Sequence, residues 1–392
     1  MSALHEPTVA EDELRPTHLE VDLSVLAENY ALICARVSPA KVMPILKANA
    51  YGHGLVAVAR KLEQIGAPYV GVAYLEEGLR LRQAGVRMPV LVMGGIVGSQ
   101  VPRFLEHDLT LTASSVDKLT AIDECAARLG RTARVHLKID TGMERIGVHW
   151  YSAEKLLEAS LAKRHLQIEG VFTHFANADE AELGHARLQL ERFHEALSFY
   201  ERRGLPPPLR HAANSGAILQ LPESHLDMVR PGILFYGASP TCELPLSMPV
   251  QQALRWTTRV VFFKVVQEGF PVSYGSSWSP REQTRVITLP VGYGDGYARS
   301  MSGRAEALLH GRRVKVVGRI CMDQVMVDIG WTSAFNGDEV VLLGSSREDP
   351  GQRIRIEELA EWAGSIPHEV LTSINTRVPR VYVDGAAGEA QR

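Results

Sequence analysis

Short apolar runs alternate with longer segments of helical period from residue 40 to about residue 238, and few folds accommodate that alternation. It is typical of repeated βα units, in which parallel strands form a sheet and helices pack on its faces. The strand candidates are 42–47, 69–73, 89–94, 109–114, 135–140, 168–175, 209–214 and 228–237. Eight such units predict a closed (β/α)8 barrel, an α/β fold of the TIM-barrel class.

Two segments between or before these strands have a clear helical pattern. Apolar residues recur at helical spacing from Leu23 to Cys34, after Asp22 as a candidate N-cap. The second pattern runs from Val116 to Leu129 and stops at Gly130, the residue type favoured just beyond a helix end. We expect both helices to lie outside the barrel.

Three prolines, Pro240, Pro245 and Pro249, mark a change of composition. β-branched runs follow at short spacing, with one helical pattern near 355–363. We therefore predict the barrel over 17–247 and a mostly β C-terminal domain over 248–384. The remaining tails, 1–16 and 385–392, have the composition of disordered segments.

The charge of the chain points to a small-molecule ligand. A net charge of −3 over 392 residues gives no general attraction to nucleic acid or to an anionic membrane, and no basic patch stands out. The cysteines Cys34, Cys125, Cys242 and Cys321 have neither a CxxC pair nor histidines at metal-ligand spacing, so we expect reduced thiols and no metal. The acidic N-terminal stretch lacks the features of a secretory signal, which favours a cytoplasmic location.

Lys47 ends the first predicted strand and is followed by Ala-Asn-Ala-Tyr-Gly-His-Gly. In barrels of this class the active site lies at the carboxyl ends of the strands. A lysine held there can be partly desolvated, which lowers the pKa of its amine and allows it to attack a carbonyl group. Taken alone, Lys47 could equally be a surface lysine at a strand end.

Polar residues follow several other strands and predict one functional rim. The rim set is Lys138 and Asp140 on strand five, Arg145 just beyond it, Thr173 and His174, Asn214 and Ser215, and Arg230. Ser215 and the backbone amides of Gly232 and Ile233 fit a phosphate site, which such barrels build after strands seven and eight. Singly, His174 could be a core histidine and Gly232 a turn glycine.

The order of these motifs resembles that of the bacterial alanine racemases over about residues 17–383. KANAYGHG at Lys47 resembles the cofactor-lysine signature of that family. The motifs that follow in the family's order are KIDTGMERIG, FTHFANADE, HAANSGAI, MVRPGILFYG, VSYG, VGYGDGY, GRICMDQ and RVPR. The resemblance implies a (β/α)8 barrel, a β-rich C-terminal domain, the cofactor pyridoxal 5'-phosphate and a homodimer with shared active sites.

The resemblance also implies roles for single residues. Lys47 would carry the cofactor as a Schiff base, and Arg230 would face the pyridine nitrogen with His211 behind it. The remaining cofactor-binding residues would be Tyr51, His174, Asn214, Ser215, Gly232, Ile233 and Tyr293, the last at the entrance. Because a guanidinium does not give up its proton, it would leave the ring nitrogen unprotonated and the ring a weaker electron sink.

Racemisation requires a base on each side of the substrate carbon. The resemblance assigns these roles to Lys47 and to the partner subunit's Tyr274. A free phenol titrates near ~10, so we expect positive charge from His174 or nearby arginines to assist its ionisation. If VSYG stood alone, Tyr274 would be read as a packed strand residue.

Arg145 and the backbone of Met322 would receive the substrate carboxylate, and Lys138 matches a position that is often a carbamylated lysine in this family. The sequence departs from the family at Thr376, where a tyrosine usually stands before RVPR. Loss of the ring should enlarge the pocket, so we expect relaxed specificity, with serine or a somewhat larger residue accepted beside alanine.

Two other functions compete with this interpretation. A pyridoxal-phosphate decarboxylase of basic amino acids shares the barrel, but the arginine at the ring nitrogen argues against it. A non-catalytic pyridoxal-phosphate-binding protein is a lone barrel, and the β-rich half with Tyr274 argues against that.

Overall fold

A computed structural model describes residues 15–385 of the chain. It divides the chain into two compact units. The barrel unit comprises Leu23–Ala253, and the β unit comprises Leu254–Val383 together with the segment that ends at Asp22. The predicted tails, 1–16 and 385–392, lie outside the described residues except for their inner ends.

The elements are numbered in chain order. The strands are β1 His18–Asp22, β2 Lys41–Val42, β3 Val70–Val72, β4 Val90–Val92, β5 Leu111–Ala113, β6 Ala133–Asp140, β7 Val148–His149, β8 Leu166–Phe172, β9 Leu209–His211, β10 Met228–Val229, β11 Leu254–Arg259, β12 Phe262–Val266, β13 Thr284–Leu289, β14 Glu306–Leu309, β15 Arg312–Val317, β16 Val325–Gly330, β17 Glu339–Ser345, β18 Arg353–Ile354 and β19 Arg380–Val383. The helices are α1 Leu23–Val37, α2 Lys47–Tyr51, α3 Leu55–Gln64, α4 Leu75–Gln83, α5 Val101–Glu106, α6 Val116–Arg128, α7 Ala153–Leu161, α8 Gly184–Arg202, α9 Ser215–Gln220, α10 Ile356–Ala363 and α11 Pro367–Ser373.

Eight parallel strands close the ring that the alternating sequence predicts. Ladders join β10 to β2, β3 to β4, β5 to β6, β6 to β8 and β8 to β9. Single bridges, Ile45 to Gly71 and Leu91 to Thr110, link the remaining neighbours. Between β9 and β10 the N–H of Arg230 donates to the carbonyl of Ala213 at 2.9 Å. The carboxyl ends of all eight strands therefore lie at one rim.

Several of these strands are shorter than predicted. Strand β2 stops at Val42, and the segment after β10 turns into a 3-10 turn at Ile233–Tyr236. The residues of that turn are fully buried, so their apolar run reflects burial rather than extended structure. Periodicity alone does not separate a short buried strand from a buried turn.

The outer helices follow their apolar stripes. Helix α6 begins at Val116 as predicted, and the Ser115 hydroxyl accepts a hydrogen bond from the N–H of Lys118 at 3.1 Å as an N-cap. Gly130 follows its end with a φ of 59°, a left-handed conformation that glycine adopts without strain. The helix predicted after Asp22 is α1.

The β unit is built on a ten-stranded sheet in the order β12-β13-β16-β15-β14-β17-β11-β1-β19, with β18 paired to β17. Strand β1 pairs with β11 and with β19, so residues 18–22 belong to this sheet and not to the barrel in which the sequence placed them. The units divide between Ala253 and Leu254, rather than after residue 247. A five-residue strand whose partners lie more than 200 residues away carries no local sign of its sheet.

The single helix predicted near 355–363 is α10, and α11 follows it. Within residues 15–385, no helix has the length and apolar character needed to cross a membrane.

Gly237 allows a direct test of packing in the barrel unit. Its φ is 82°, and a Cβ atom placed on it would lie 1.8 Å from the carbonyl oxygen of Gln251. Gly204 has a similar φ of 63° but no neighbour within 4 Å of a Cβ atom. We expect Gly204→Ala to lower the free energy of unfolding by about 1 kcal/mol and Gly237→Ala by clearly more, as measured by urea denaturation. Equal losses in the two variants would contradict this packing.

Candidate active site

The segment Lys47–Tyr51 forms a left-handed turn rather than a regular helix. Ala48, Asn49 and Ala50 have φ of 53°, 56° and 54°, and Tyr51 has a φ of 51°. For residues with a side chain this conformation costs roughly 1–2 kcal/mol each, so the surroundings must hold it in place. Strain of this kind is concentrated at functional sites.

Two side chains fix this left-handed turn. Glu77 accepts a hydrogen bond from the N–H of Ala48 at 2.6 Å and, through its other oxygen, from the N–H of Ala73 at 2.8 Å. The side-chain oxygen of Asn49 accepts from the N–H of Leu55 at 2.9 Å, at the start of α3. Nothing in the sequence marks Glu77 for this role, because its contact with the turn spans 29 positions of the chain.

The amine of Lys47 lies in a cationic environment. Its side chain is accessible at the barrel rim, but the surrounding protein displaces enough water that desolvation lowers the pKa of the amine. Repulsion by Arg145 lowers that pKa further, and attraction to Glu77 opposes the shift. The neutral, nucleophilic form of Lys47 is therefore favoured relative to an ordinary surface lysine.

Two backbone amides and two hydroxyl groups converge at this turn. The N–H of Gly232 donates to the hydroxyl of Ser215 at 3.0 Å, and the N–H of Leu234 approaches the same oxygen at 3.3 Å. A Cβ atom on Gly232 would lie only 2.6 Å from the Tyr51 hydroxyl oxygen and 3.7 Å from that of Ser215. The absence of a side chain at position 232 thus leaves room for the Tyr51 hydroxyl.

Asn214 and Ile233 complete this cluster from the backbone side. The Asn214 side chain caps α9 by accepting from the N–H of Ala217 at 3.0 Å, which positions Ser215 at the first turn. Ile233 is the first residue of the turn that follows β10, so its N–H has no acceptor within that turn. Hydroxyl and amide donors of this kind suit a phosphate group.

Arg230 is buried and held by four acceptors. Its Nη2 donates to the carbonyls of Thr173 and Ala212, both at 2.7 Å, and its Nη1 donates to Nδ1 of His211 at 2.9 Å. Its Nη2 also lies 3.2 Å from Nδ1 of His174. Burial lowers the pKa of Arg230 to about 9, which leaves the guanidinium protonated at neutral pH.

His174 accordingly acts as an acceptor. Burial and the charge of Arg230 hold its pKa well below the usual range, so it is a neutral imidazole. The expectation that His174 supplies positive charge to a phenol is therefore wrong, because the adjacent guanidinium disfavours a second cation.

Lys138 is buried, and its Nζ lies 4.5 Å from the centre of the Phe172 ring. Burial and Arg230 shift the pKa of its amine far downward. Among the described residues it has no carboxylate within ion-pair distance. Asp140, two residues along β6, is committed to the backbone instead.

Asp140 organises the loop that carries Arg145. One oxygen accepts from the N–H groups of Gly142, Met143 and Glu144 at 2.9, 3.0 and 3.2 Å, and the other accepts from that of Arg145 at 3.2 Å. These bonds lower the pKa of Asp140 against the effect of burial. The sequence shows Asp140 only as an acidic residue at a strand end and gives no sign of this role.

In the β unit, Tyr274 lies at the tip of an irregular hairpin and is 70% exposed. The hairpin is closed by the N–H of Val272, which donates to the carbonyl of Trp278 at 2.8 Å, and Ser273 adopts a φ of 70°. Arg319 lies alongside, because its guanidinium carbon would be 3.0 Å from a Cβ atom on Gly275. Tyr274 is thus not the packed strand residue of the alternative interpretation.

Tyr293 and Met322 lie in two neighbouring loops of the same unit. The N–H of Tyr293 donates to the carbonyl of Cys321 at 3.0 Å, and that of Gly294 donates to the carbonyl of Met322 at 2.9 Å. The side chains of Tyr293 and Met322 are exposed, and the glycines around Tyr293 form a turn, not a phosphate loop.

A buried carboxylate fixes this turn. Asp295 accepts two hydrogen bonds from Arg15, each at 2.8 Å, and one from the N–H of Gly292 at 2.9 Å. Arg377, next to Thr376, forms a further ion pair with it at 2.8 Å. The exposed Thr376 is thereby tied to the Tyr293 turn.

These groups fit a phosphate-bearing pyridoxal cofactor. The barrel rim provides an amine of lowered pKa, a hydroxyl and amide cluster at Gly232, and a buried guanidinium. The Nε–H of Arg230 makes no hydrogen bond within the described part of the chain and remains as a donor for a ring nitrogen.

Comparison with known proteins supports this assignment. The protein-family model for the alanine racemase N-terminal domain matches residues 21–240 of the sequence. The family model for the alanine racemase C-terminal domain matches residues 253–382. The alanine racemase of Carboxydothermus hydrogenoformans is 44% identical over 372 residues, which cover 94% of this chain and 100% of that protein.

Solved structures agree in fold. The alanine racemase from D-cycloserine-producing Streptomyces lavendulae has a TM-score of 0.89 at 37% identity, covering 95% of this chain and 98% of that one. The alanine racemase from Bartonella henselae with covalently bound pyridoxal phosphate has a TM-score of 0.84 at 26% identity, covering 94% and 100%.

Fold and site together define a barrel enzyme with a reactive lysine at the barrel rim and a β-rich second domain. The chain belongs to the alanine racemase family. Its reaction is that of an isomerase, and its cofactor is pyridoxal phosphate. The decarboxylase and the lone-barrel binding protein are thereby excluded as descriptions of this chain.

The Gly232 contact predicts a coupling that can be measured. In Gly232→Ala, the new methyl group would displace the Tyr51 hydroxyl, so we expect the dissociation constant for pyridoxal phosphate to rise by roughly tenfold or more. In a Tyr51→Phe background, which lacks that oxygen, the same change should cost less. Gly98→Ala, where a Cβ atom meets nothing within 4 Å, is the control. Purely additive effects would argue against the contact.

Proposed function

We propose that this chain interconverts L- and D-alanine with two bases on opposite sides of the substrate carbon, Lys47 and the partner subunit's Tyr274. The observation that carries the proposal is the desolvated amine of Lys47, held by a strained turn beside a cluster of phosphate-type donors. The family to which the chain belongs supports the same reaction.

The cofactor site is assembled from the barrel rim. Lys47 would attach pyridoxal phosphate covalently, and the phosphate would be held by Tyr51, Ser215 and the amides of Gly232 and Ile233. Asn214 positions Ser215, and His174 and Arg230 would lie toward the ring. When bound, the cofactor supplies an electron sink that makes the Cα proton of the amino acid more acidic.

Lys47 and Tyr274 then handle protons. The neutral amine of Lys47 accepts the Cα proton of D-alanine, and the phenol of the partner subunit's Tyr274 returns one from the other side. For L-alanine the roles reverse. Arg319 lies beside the Tyr274 turn and would place a cation next to this second base.

The substrate carboxylate needs positive charge and a backbone donor. We assign these roles to Arg145, which Asp140 holds in place through the backbone, and to the N–H of Met322. Tyr293 would line the entrance beside Met322, with which its loop is hydrogen bonded.

We further propose that Lys138 carries a carbamate. Its buried neutral amine would attack carbon dioxide and lose a proton, forming an N–C bond and a carboxylate. This would place a negative charge within the field of Arg230 and Arg145, both of which disfavour a lysine cation there. A carbamate resonance after labelling with ¹³C-bicarbonate, absent in Lys138→Ala, is the expected sign.

The shared site implies a homodimer. Tyr274, Tyr293 and Met322 are all exposed on the β unit, with 70%, 41% and 52% of their surface accessible. Exposed side chains with family-assigned roles are consistent with a site completed by a second copy of the chain.

The two bases should be separable by isotope exchange. In deuterium oxide we expect Tyr274→Phe to retain exchange of the Cα proton of D-alanine, because Lys47 remains. Racemisation and exchange of L-alanine should fall by about 100-fold or more. Proton NMR measures both, and Tyr151→Phe, at an equally exposed tyrosine, should change neither. Equal loss of exchange for both enantiomers would overturn the assignment.

Thr376 supports a proposal about specificity. Its short side chain is exposed where the family usually has a tyrosine, so we propose that L-serine is accepted beside L-alanine. We expect Thr376→Tyr to lower kcat/KM for L-serine relative to L-alanine by about tenfold. Thr372→Tyr, on the exposed face of α11, is the control. An unchanged ratio in Thr376→Tyr would contradict the proposal.

A further inference from the structure

A row of buried polar side chains runs from Arg230 into the barrel interior. Nδ1 of His211 accepts from Arg230 at 2.9 Å, and Nε2 of His211 lies 2.8 Å from Nδ1 of His136. Both histidines are completely buried. His211 also stacks on Phe172, with ring centres 4.7 Å apart and planes 4° from parallel, which fixes its orientation.

Because Arg230 stands at one end of this row, it determines which ring nitrogen of each histidine carries the proton. A guanidinium only donates, so Nδ1 of His211 must be the acceptor and carry no proton. In a neutral His211 the proton is then on Nε2, from which it is donated to Nδ1 of His136. His136 in turn must carry its proton on Nε2. Burial and the charge of Arg230 lower the pKa values of both histidines, that of His136 to about 3, so neither is an imidazolium.

His136, at the far end of the row, lies next to Glu169. Nε2 of His136 is buried without a hydrogen-bond partner among the described residues, and the nearest carboxylate oxygen, Oε2 of Glu169, is 3.9 Å away. A buried N–H donor without an acceptor is costly, and a small rotation of the Glu169 carboxylate would supply one.

A β-bulge and a second donor chain hold Glu169. The pairing of β6 with β8 passes from Val135 and Ile168 directly to His136 and Gly170, so Glu169 is the additional residue. The hydroxyl of Tyr69 donates to its Oε2 at 2.7 Å, and Tyr69 in turn is 2.7 Å from the Thr110 hydroxyl.

Gly170 reserves the space for the His136 ring. A Cβ atom at this position would lie 2.4 Å from Nδ1 of His136. The bulge and this glycine therefore admit an imidazole next to Glu169 where a packed barrel normally carries branched apolar side chains.

We propose that Glu169, through His136 and His211, forms a one-way hydrogen-bonded relay that compensates the charge of Arg230 and positions its guanidinium. Glu169 and His136 are positioning residues, because they do not touch the cofactor or the substrate. The proposal depends on the proposed function in one respect, namely that Arg230 lies at the cofactor ring. The positions of the protons on His136 and His211 do not depend on that function.

The test uses the ¹⁵N-histidine-labelled holoenzyme and long-range ¹H–¹⁵N NMR, with His136→Gln and His211→Gln to assign the signals. We expect both histidines to be neutral, with the proton on Nε2. We expect Glu169→Gln, which keeps the shape and the acceptor for Tyr69, to shift the Nε2 signals of His136 and also of the distant His211. Glu158→Gln, at an exposed glutamate, is the matched control.

Kinetics give the second measurement. Glu169→Gln should lower kcat by roughly threefold to tenfold with KM nearly unchanged, whereas Glu158→Gln should leave both unaltered. A proton on Nδ1 of either histidine, a charged imidazole, or unchanged His211 signals in Glu169→Gln would overturn the relay. Because the proton pattern can be measured without turnover, failure of the relay is distinguishable from failure of the racemase assignment.

Discussion

The closed ring of eight parallel strands is the constraint on which the barrel site depends. Parallel strands joined by helices all end at the same rim, so residues far apart in sequence meet there. Lys47, Arg145, Ser215 and Arg230 follow four different strands, and each is placed by the register of its own strand. Ladder hydrogen bonds that support β2 and β10 therefore also determine where the amine lies relative to the phosphate donors.

Desolvation gives these residues their chemistry. The rim gathers Lys47, Lys138, Arg145 and Arg230, and the nearby carboxylate of Asp140 is occupied by backbone amides. Loss of water and repulsion by the arginines lower the pKa values of the two lysines, which favours the neutral form of each amine. The same positive environment suits the phosphate and the substrate carboxylate that we propose to bind there, so one electrostatic arrangement would serve both the nucleophile and binding.

Features expressed in local periodicity were predictable, whereas features made by distant contacts were not. Apolar runs and Gly130 located the strands and the end of α6. The left-handed conformation of Ala48–Tyr51 has little signal in residue preferences, because of these four residues only Asn49 commonly adopts a positive φ. The role of β1 in the second sheet likewise depends on β11 and β19.

The order of the motifs predicted a role for each site residue, whereas the structure changed the charge expected for one of them. His174 was expected to be a source of positive charge, yet its Nδ1 faces a guanidinium and it is neutral. Glu77 and Glu169 were missed, because each acts on a backbone or a ring contributed by another element. Neither residue has a sequence neighbour that would mark it as functional.

Subunit complementation tests the shared two-base site most directly. Lys47→Ala and Tyr274→Phe are each expected to be nearly inactive. When differently tagged copies are co-expressed, half of randomly formed dimers are mixed, and each mixed dimer contains one site with both bases intact. We expect about a quarter of wild-type activity, concentrated in the doubly tagged fraction. Activity no higher than the sum of the two separate variants would contradict it.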